Sequence, residues 1–189
     1  MAMRCIADHY EENERLPIVL EIGCADGQGT MRFAGFTQLT ICVDPMVSID
    51  GNARPDVMSP SFEDMPPDQE KITMFKRRTR EFPVELVMGC SLWEETLASV
   101  DKILAGRKVD VLIVDGCHHP FEAVWADLIA YYPLVRQYGY IILDDLYEDC
   151  IQQVYDQSIE NGLLEPHDRW SIKTTQILQD CAALRKTLI

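Results

Sequence analysis

Residues 109–147 read VDVLIVDGCHHPFEAVWADLIAYYPLVRQYGYIILDDLY, and this stretch decides the fold. Asp110–Val114 is a short apolar run with a β-branched bias, ending abruptly at Asp115-Gly116. Tyr140–Leu143 is a second such run and ends at Asp144-Asp145. Short, nearly continuous runs of this kind suit strands of a parallel sheet buried on both faces. Between them Phe121, Val124, Trp125, Leu128, Ile129, Tyr132 and Val135 recur at helical spacing, with Gly139 expected to stop the helix. A strand–helix–strand unit of this length predicts a right-handed parallel crossover. Neighbouring strands would bring Asp115, Asp144 and Asp145 to one sheet edge, with strand ends roughly 5 Å apart. Carboxylates so gathered repel one another, which predicts either a bound proton or a hard divalent cation such as Mg²⁺ among them. The simpler alternative has Asp144 capping the next helix and Asp145 in water.

Upstream, residues 19–30, VLEIGCADGQGT, place a strand before a glycine-rich turn. Gly23 and Gly27 allow a close backbone approach, but their spacing is not that of the dinucleotide fingerprint Gly-x-Gly-x-x-Gly. Glu21 precedes the turn, a poor neighbour for phosphate and a good one for an ammonium group. Asp44 ends the next strand, where an acid can accept both hydroxyls of a ribose. A ligand with a ribose and a cationic amino-acid tail satisfies both acids, and S-adenosylmethionine is such a ligand.

The remaining elements follow in order. Residues up to Arg15 read as a short polar helix or an unpacked lead-in. Strands are expected at Ile18–Ile22, Thr40–Val43 and Val84–Met88. Helices are expected at Thr30–Phe36, 68–80, Leu92–Leu104 (with Ser91 as its cap) and Glu148–Asn161. Residues 46–68 form a proline-rich loop of the length usual for lids and binding segments. Trp170–Leu178 and Cys181–Thr187 are expected to form an antiparallel hairpin around Gln179-Asp180, with a helix as the alternative over 177–186. The sum is a single domain over residues 1–189, a doubly wound α/β fold with a mostly parallel sheet of about seven strands.

The motifs ExGxxxGxxT at Glu21–Thr30, the acid Asp44, and DGxH…ADL…GYIILDD from Asp115 to Asp145 resemble class I S-adenosylmethionine-dependent methyltransferases. The similarity spans residues 18–147. It extends to the metal-dependent O-methyltransferases of macrolide-type sugars, a group that includes cephalosporin-pathway proteins. The resemblance implies a Rossmann-like sheet of seven strands with the last antiparallel. It implies that Glu21, Gly23, Gly27, Thr30 and Asp44 hold the cofactor, that Cys90 and Ser91 lie near its adenine, and that Asp115 also contacts it. Asp115, Asp144 and Asp145 would bind Mg²⁺, and His118, three residues after Asp115, would be the catalytic base, with Asp115 the other catalytic residue. Two departures stand out: Cys90 replaces an acid, and Gly116-Cys117-His118 replaces Gly-Asp-His. The short lead-in leaves little material to roof a substrate, so the 46–68 loop or a second copy of the chain is expected to supply the cover.

The implied activity is O-methylation of a small hydroxylated acceptor, a sugar or natural product. Two other classes stay open: a non-catalytic cofactor-binding module and a nicotinamide-dependent oxidoreductase, the latter disfavoured by the glycine spacing. Acidic residues outnumber basic ones 31 to 17, for a net charge of −14, which argues against a nucleic-acid partner. The basic cluster Lys76–Arg80 reads as a solvated helix face. No apolar run reaches the roughly 20 residues of a membrane span, and no signal-peptide layout opens the sequence, so the cytoplasm is the expected location. The seven cysteines are scattered without a CxxC pair and are expected to be free thiols.

Overall fold

The computed structural model describes residues 1–47, 65–117, 119–173 and 178–187. Strands β1 (Ile18–Ile22), β2 (Leu39–Asp44), β3 (Val84–Met88), β4 (Val109–Val114) and β5 (Val135–Leu143) pair in parallel. Strands β6 (Leu164–Lys173) and β7 (Leu178–Lys186) add an antiparallel pair, and the sheet order is β3-β2-β1-β4-β5-β7-β6. This is the doubly wound, Rossmann-like sheet expected from the sequence. The order reverses between β1 and β4, and the crevice outside their carboxyl ends is where such sheets bind ligands.

Alternation along the strands sorts two apolar layers. Leu20, Ile22, Leu112, Val114, Ile141 and Leu143 face one side, over helices α3 (Glu94–Leu104), α4 (Phe121–Tyr131) and α5 (Asp149–Glu160). Val19, Val111, Ile113, Tyr140 and Ile142 face the other, where Cys5 and Ile6 of helix α1 (Ala2–Asn13) and Phe33 cover them. The lead-in is therefore packed, and Asp110 ties it down. This fully buried carboxylate accepts from Arg15 Nη1 at 2.9 Å and Nη2 at 2.6 Å and from the Ile18 amide at 2.8 Å. Helix α2 (Gln69–Thr79) is capped by Asp68 and packs Ile72 and Phe75 against Cys24, Cys42 and Met46.

Four expectations are corrected. The segment after the glycine turn forms two short 3₁₀ turns, Thr30–Arg32 and Ala34–Phe36, rather than one helix; Gly35 interrupts it and buried Thr30 turns its hydroxyl to Glu21. Helix α4 stops at Tyr131 because Pro133 follows, and Gly139 lies inside β5 rather than ending a helix. There β5 shifts register against β4, from Val109↔Val135 to Val111↔Tyr140; a Cβ on Gly139 would lie 2.7 Å from Val135 Cγ1. Helix α3 starts at Glu94 after Trp93, so Ser91 does not cap it. Gln179 and Asp180 lie within β7, paired with Ile172 and Ser171, so the hairpin's connection falls at residues 174–177, outside the described residues.

Candidate active site at the carboxyl edge of the sheet

The ladder continues one step past the strands. The Gly23 amide donates to the Val43 carbonyl (2.9 Å), the Asp115 amide to the Ile22 carbonyl (3.0 Å) and the Asp144 amide to the Val114 carbonyl (3.2 Å). Gly23, Asp115 and Asp144 therefore stand side by side at the exits of β1, β4 and β5. Because side chains alternate along a strand, Glu21, Asp115 and Asp144 point to the face that carries Ile113 and Ile142. There they wall a cleft of about 240 Å³ with Gly29, Arg32, Phe33 and the first turn of α1. Met1, Ala2 and Met3 close one side of it, so part of the cover expected from elsewhere comes from the lead-in itself.

Glu21 is buried, accepts from the Thr30 hydroxyl and receives the Cys42 thiol at 3.6 Å. Burial, with Asp115 and Asp44 adding repulsion, lifts its carboxyl to about 7. Thr30 thus acts on Glu21, orienting it. Asp144 is raised to about 6, first by burial and then by the neighbouring Asp115 charge. Those two acids meet as expected. Asp145 sits at φ 52 and does not line the cleft, although its charge adds to the repulsion on Asp144. Among the described residues no three His, Cys, Asp or Glu side chains converge closely enough to hold a metal ion. The three-aspartate cage expected from the sequence is not assembled.

Asp44 is buried, and its carboxylate shapes the glycine turn. Oδ2 accepts the Ala25 amide at 2.9 Å, while Oδ1 accepts the Met46 amide at 2.7 Å and Lys71 Nζ at 2.9 Å. Helix α2 grips the same turn twice more. Arg78 pairs with Asp26 and donates to its carbonyl at 3.0 Å, and the Phe75 ring would lie 2.9 Å from a Cβ on Gly27. Gly23 is needed for a different contact: a Cβ there would lie 2.1 Å from the Asp115 carbonyl oxygen. Both glycines are thus demanded by packing within the fold, whatever ligand comes near.

At the exit of β3, Cys90 is buried, and the Ser91 hydroxyl donates to Asp127 of α4. Tyr131 donates to the Ser91 carbonyl at 2.8 Å. Ser91 Oγ therefore anchors the turn, and Asp127, raised by burial to about 6, is its support. His118, the expected base, lies outside the described residues, as does most of the 46–68 loop. Sequence reasoning missed Lys71, Arg78, Arg32 and the α1 turn. Asp127, one position from Leu128 on the apolar stripe of α4, reads as structural from the sequence and is so.

Comparison with known proteins agrees with this architecture. The sequence profile described as a methyltransferase domain matches residues 20–146. No curated protein sequence matches significantly. Among solved structures, the O-methyltransferase from Bacillus cereus, in complex with S-adenosylhomocysteine, superposes with a TM-score of 0.65 at 13% identity, covering 97% of this chain and 80% of that one. The N-methyltransferase NodS from Bradyrhizobium japonicum, also with S-adenosylhomocysteine, gives 0.63 at 12% identity, over 97% and 84% of the two chains. Magnesium protoporphyrin IX methyltransferase from Synechocystis gives 0.60 at 12%, over 97% and 75%. At such identities the likeness speaks for the fold, and the profile match speaks for the lineage. The β1–β4 crevice, with its glycine turn and its two flanking acids, is accordingly that of a chain belonging to the methyltransferase domain family.

Proposed function

We propose that this chain transfers a methyl group from S-adenosylmethionine to an oxygen of a small hydroxylated acceptor, a sugar or natural-product hydroxyl. The observation that carries the reading is the shared cleft, in which Glu21, suited to an ammonium tail, lies on the same wall as the Asp115–Asp144 pair. When bound, the cofactor supplies a methyl carbon on a cationic sulfur, which an oxygen displaces in line. Glu21 takes the ammonium group, and Asp44, at the exit of β2, takes the ribose. Asp144 receives the acceptor's proton. Its carboxyl, lifted to about 6, sits near the operating pH, where a general base is most effective. Burial, with repulsion from neighbouring Asp115 added, keeps that carboxyl basic. A hydroxyl acceptor must lose its proton to attack, and the paired carboxyl is placed to take it.

The mutual repulsion of Asp115 and Asp144 favours a second reading, in which a divalent ion lies between them. Mg²⁺ is often held by one or two carboxylates, with water and substrate completing its shell. No third protein donor converges on the pair among the described residues. In this reading Asp115 and Asp144 hold the ion, and His118 is the alternative base.

The test is calorimetric titration with S-adenosylhomocysteine, followed by tritiated methyl transfer to a panel of glycosides and phenols. Saturable binding, O-methyl products and loss of turnover in Asp144→Asn with cofactor affinity kept within a few-fold are expected. Absence of binding, or methyl groups found only on nitrogen, would overturn the proposal. Turnover that vanishes in EDTA and returns with Mg²⁺ would move the assignment to the second reading.

A further inference from the structure

On the same sheet edge, but outside the cleft, three side chains form a relay that methyl transfer does not use. Cys150 Sγ lies 3.3 Å from His119 Nδ1, and His119 Nε2 lies 3.0 Å from Glu148 Oε2. His119 comes from the turn after β4; Glu148 and Cys150 come from the start of α5, so the relay bridges the two loops that follow Asp115 and Asp144. The carboxylate fixes the imidazole tautomer: with Nε2–H donated to Glu148, Nδ1 is left as the acceptor for the thiol proton. Cys150 is the second residue of α5, a 12-residue helix, where the positive end of the backbone dipole faces a sulfur anion. The site is reachable, since the His119 and Glu148 side chains are 35% and 24% exposed and Cys150 is half-buried. A nucleophile, a base and a group orienting the base is the arrangement that activates a thiol.

We propose that Cys150 is a nucleophilic thiol that small peroxides modify, with His119 as its base and Glu148 as the positioning residue. His119 Nδ1 takes the thiol proton. The sulfur attacks one peroxide oxygen, an S–O bond forms and the O–O bond breaks. The departing hydroxide leaves as water with the proton held by His119. Sulfur is oxidised by two electrons to the sulfenic acid, and the peroxide is reduced by two. Of the other cysteines, Cys5, Cys24, Cys42, Cys90 and Cys181 are buried, which leaves half-buried Cys117 as the internal comparison. The Cys117 thiol donates to the His119 carbonyl at 2.7 Å.

The experiment treats the whole chain with substoichiometric hydrogen peroxide in the presence of dimedone, then quantifies the adduct on each cysteine peptide by mass spectrometry. Cys150 is expected to carry at least tenfold more adduct than Cys117. Labelling of Cys150 should fall about tenfold in His119→Ala and several-fold in Glu148→Gln, with melting curves recorded for each. Glu148→Gln is the conservative change and serves if His119→Ala does not fold. Equal labelling of Cys150 and Cys117, or a Cys150 rate untouched by Glu148→Gln in a normally melting protein, overturns the proposal. The readout needs neither cofactor nor acceptor, so it stands or falls apart from the methyl-transfer reading.

Discussion

Lys71 Nζ stands 2.9 Å from Asp44 Oδ1, so the acid at the exit of β2 already holds a cation. Two backbone amides, those of Ala25 and Met46, share the same carboxylate. A carboxylate offers about four lone-pair sites, and three of them are in use. A ribose seated on Asp44 must therefore compete with the ammonium group. The pair is partly shielded, with the two side chains 22% and 7% exposed, so the competition is not screened away as it would be on an open surface.

Substituting Lys71→Met removes the competitor and keeps the length of the side chain. We expect S-adenosylhomocysteine affinity to rise about three- to tenfold by calorimetry, while Asp44→Ala lowers it by tenfold or more. A tenfold loss in Lys71→Met would mean that the ammonium group contacts the ligand itself.

Glu21 yields a pH dependence. Its carboxyl is lifted to about 7, chiefly by burial, so in the free protein it is neutral below that pH and ionised above it. Only the ionised form pairs with an ammonium tail. Cofactor affinity should therefore climb as pH rises through 7, by about tenfold between pH 6 and 8, as expected for one ionisation. Glu21→Gln should flatten the curve at its low-pH level. An affinity independent of pH in the unmodified protein would remove Glu21 from the ligand's ammonium group.

What could be read in advance differs sharply between these residues. Asp115, Asp144 and Glu21 lie at or beside strand ends, and a strand run that stops at an acid announces both the edge and, through alternation, the face. The mostly parallel sheet followed from the same strand–helix–strand pattern. Lys71 was invisible, and Arg78 was misread as part of the solvated Lys76–Arg80 face, for a different reason. They meet Asp44 and Asp26 across separations of 27 and 52 residues, and no local pattern encodes which surface of a helix will settle on a distant turn. Asp145 shows the converse limit. Its sequence neighbour enters the cleft, but one residue in the left-handed region sends the next carboxylate elsewhere. An acid in the middle of α4 reads as structural, and Asp127 is so: Val124, Leu128 and Tyr131 set the buried stripe of the helix, and an acid beside them in that stripe needs a partner, here Ser91.

Asp144 links charge to stability. Its carboxyl moves from an ordinary 3.8 to about 6 on folding, so the folded chain holds a proton that the unfolded chain has lost. The contribution is complete below about 3.8 and is lost as pH rises through about 6. At pH 8 the folded protein carries that charge beside Asp115 at a cost. Asp144→Asn should then stabilise the free protein by about 1–2 kcal/mol, a shift discounted for partial exposure, or roughly 2–8 °C in Tm. At pH 4 the benefit should shrink towards zero. Thermal melts at the two pH values check this, and a gain of equal size at both would point to packing rather than charge.

The glycines of the first turn separate fold from ligand. Gly23 sits at φ 87, and a Cβ there would lie 2.1 Å from the Asp115 carbonyl oxygen and 2.6 Å from Gly116 Cα. Backbone atoms cannot swing aside as a flexible side chain can. Gly23→Ala should therefore cost more than about 3 kcal/mol, the range of strongly destabilising substitutions, or prevent folding. Gly29 has an ordinary right-handed backbone at φ −66, and the nearest atom to a Cβ there is Glu21 Oε1 at 3.6 Å. Yet Gly29 lines the cleft. Gly29→Ala should keep its Tm within a few degrees while weakening S-adenosylhomocysteine tenfold or more, because the added methyl stands where the ligand must pass beside Glu21. Unchanged affinity in a stable Gly29→Ala protein would place the cofactor elsewhere on the edge. A stable, cofactor-binding Gly23→Ala protein would show that the β1 and β4 exits are less tightly joined than the ladder from Ile22 to Asp115 requires.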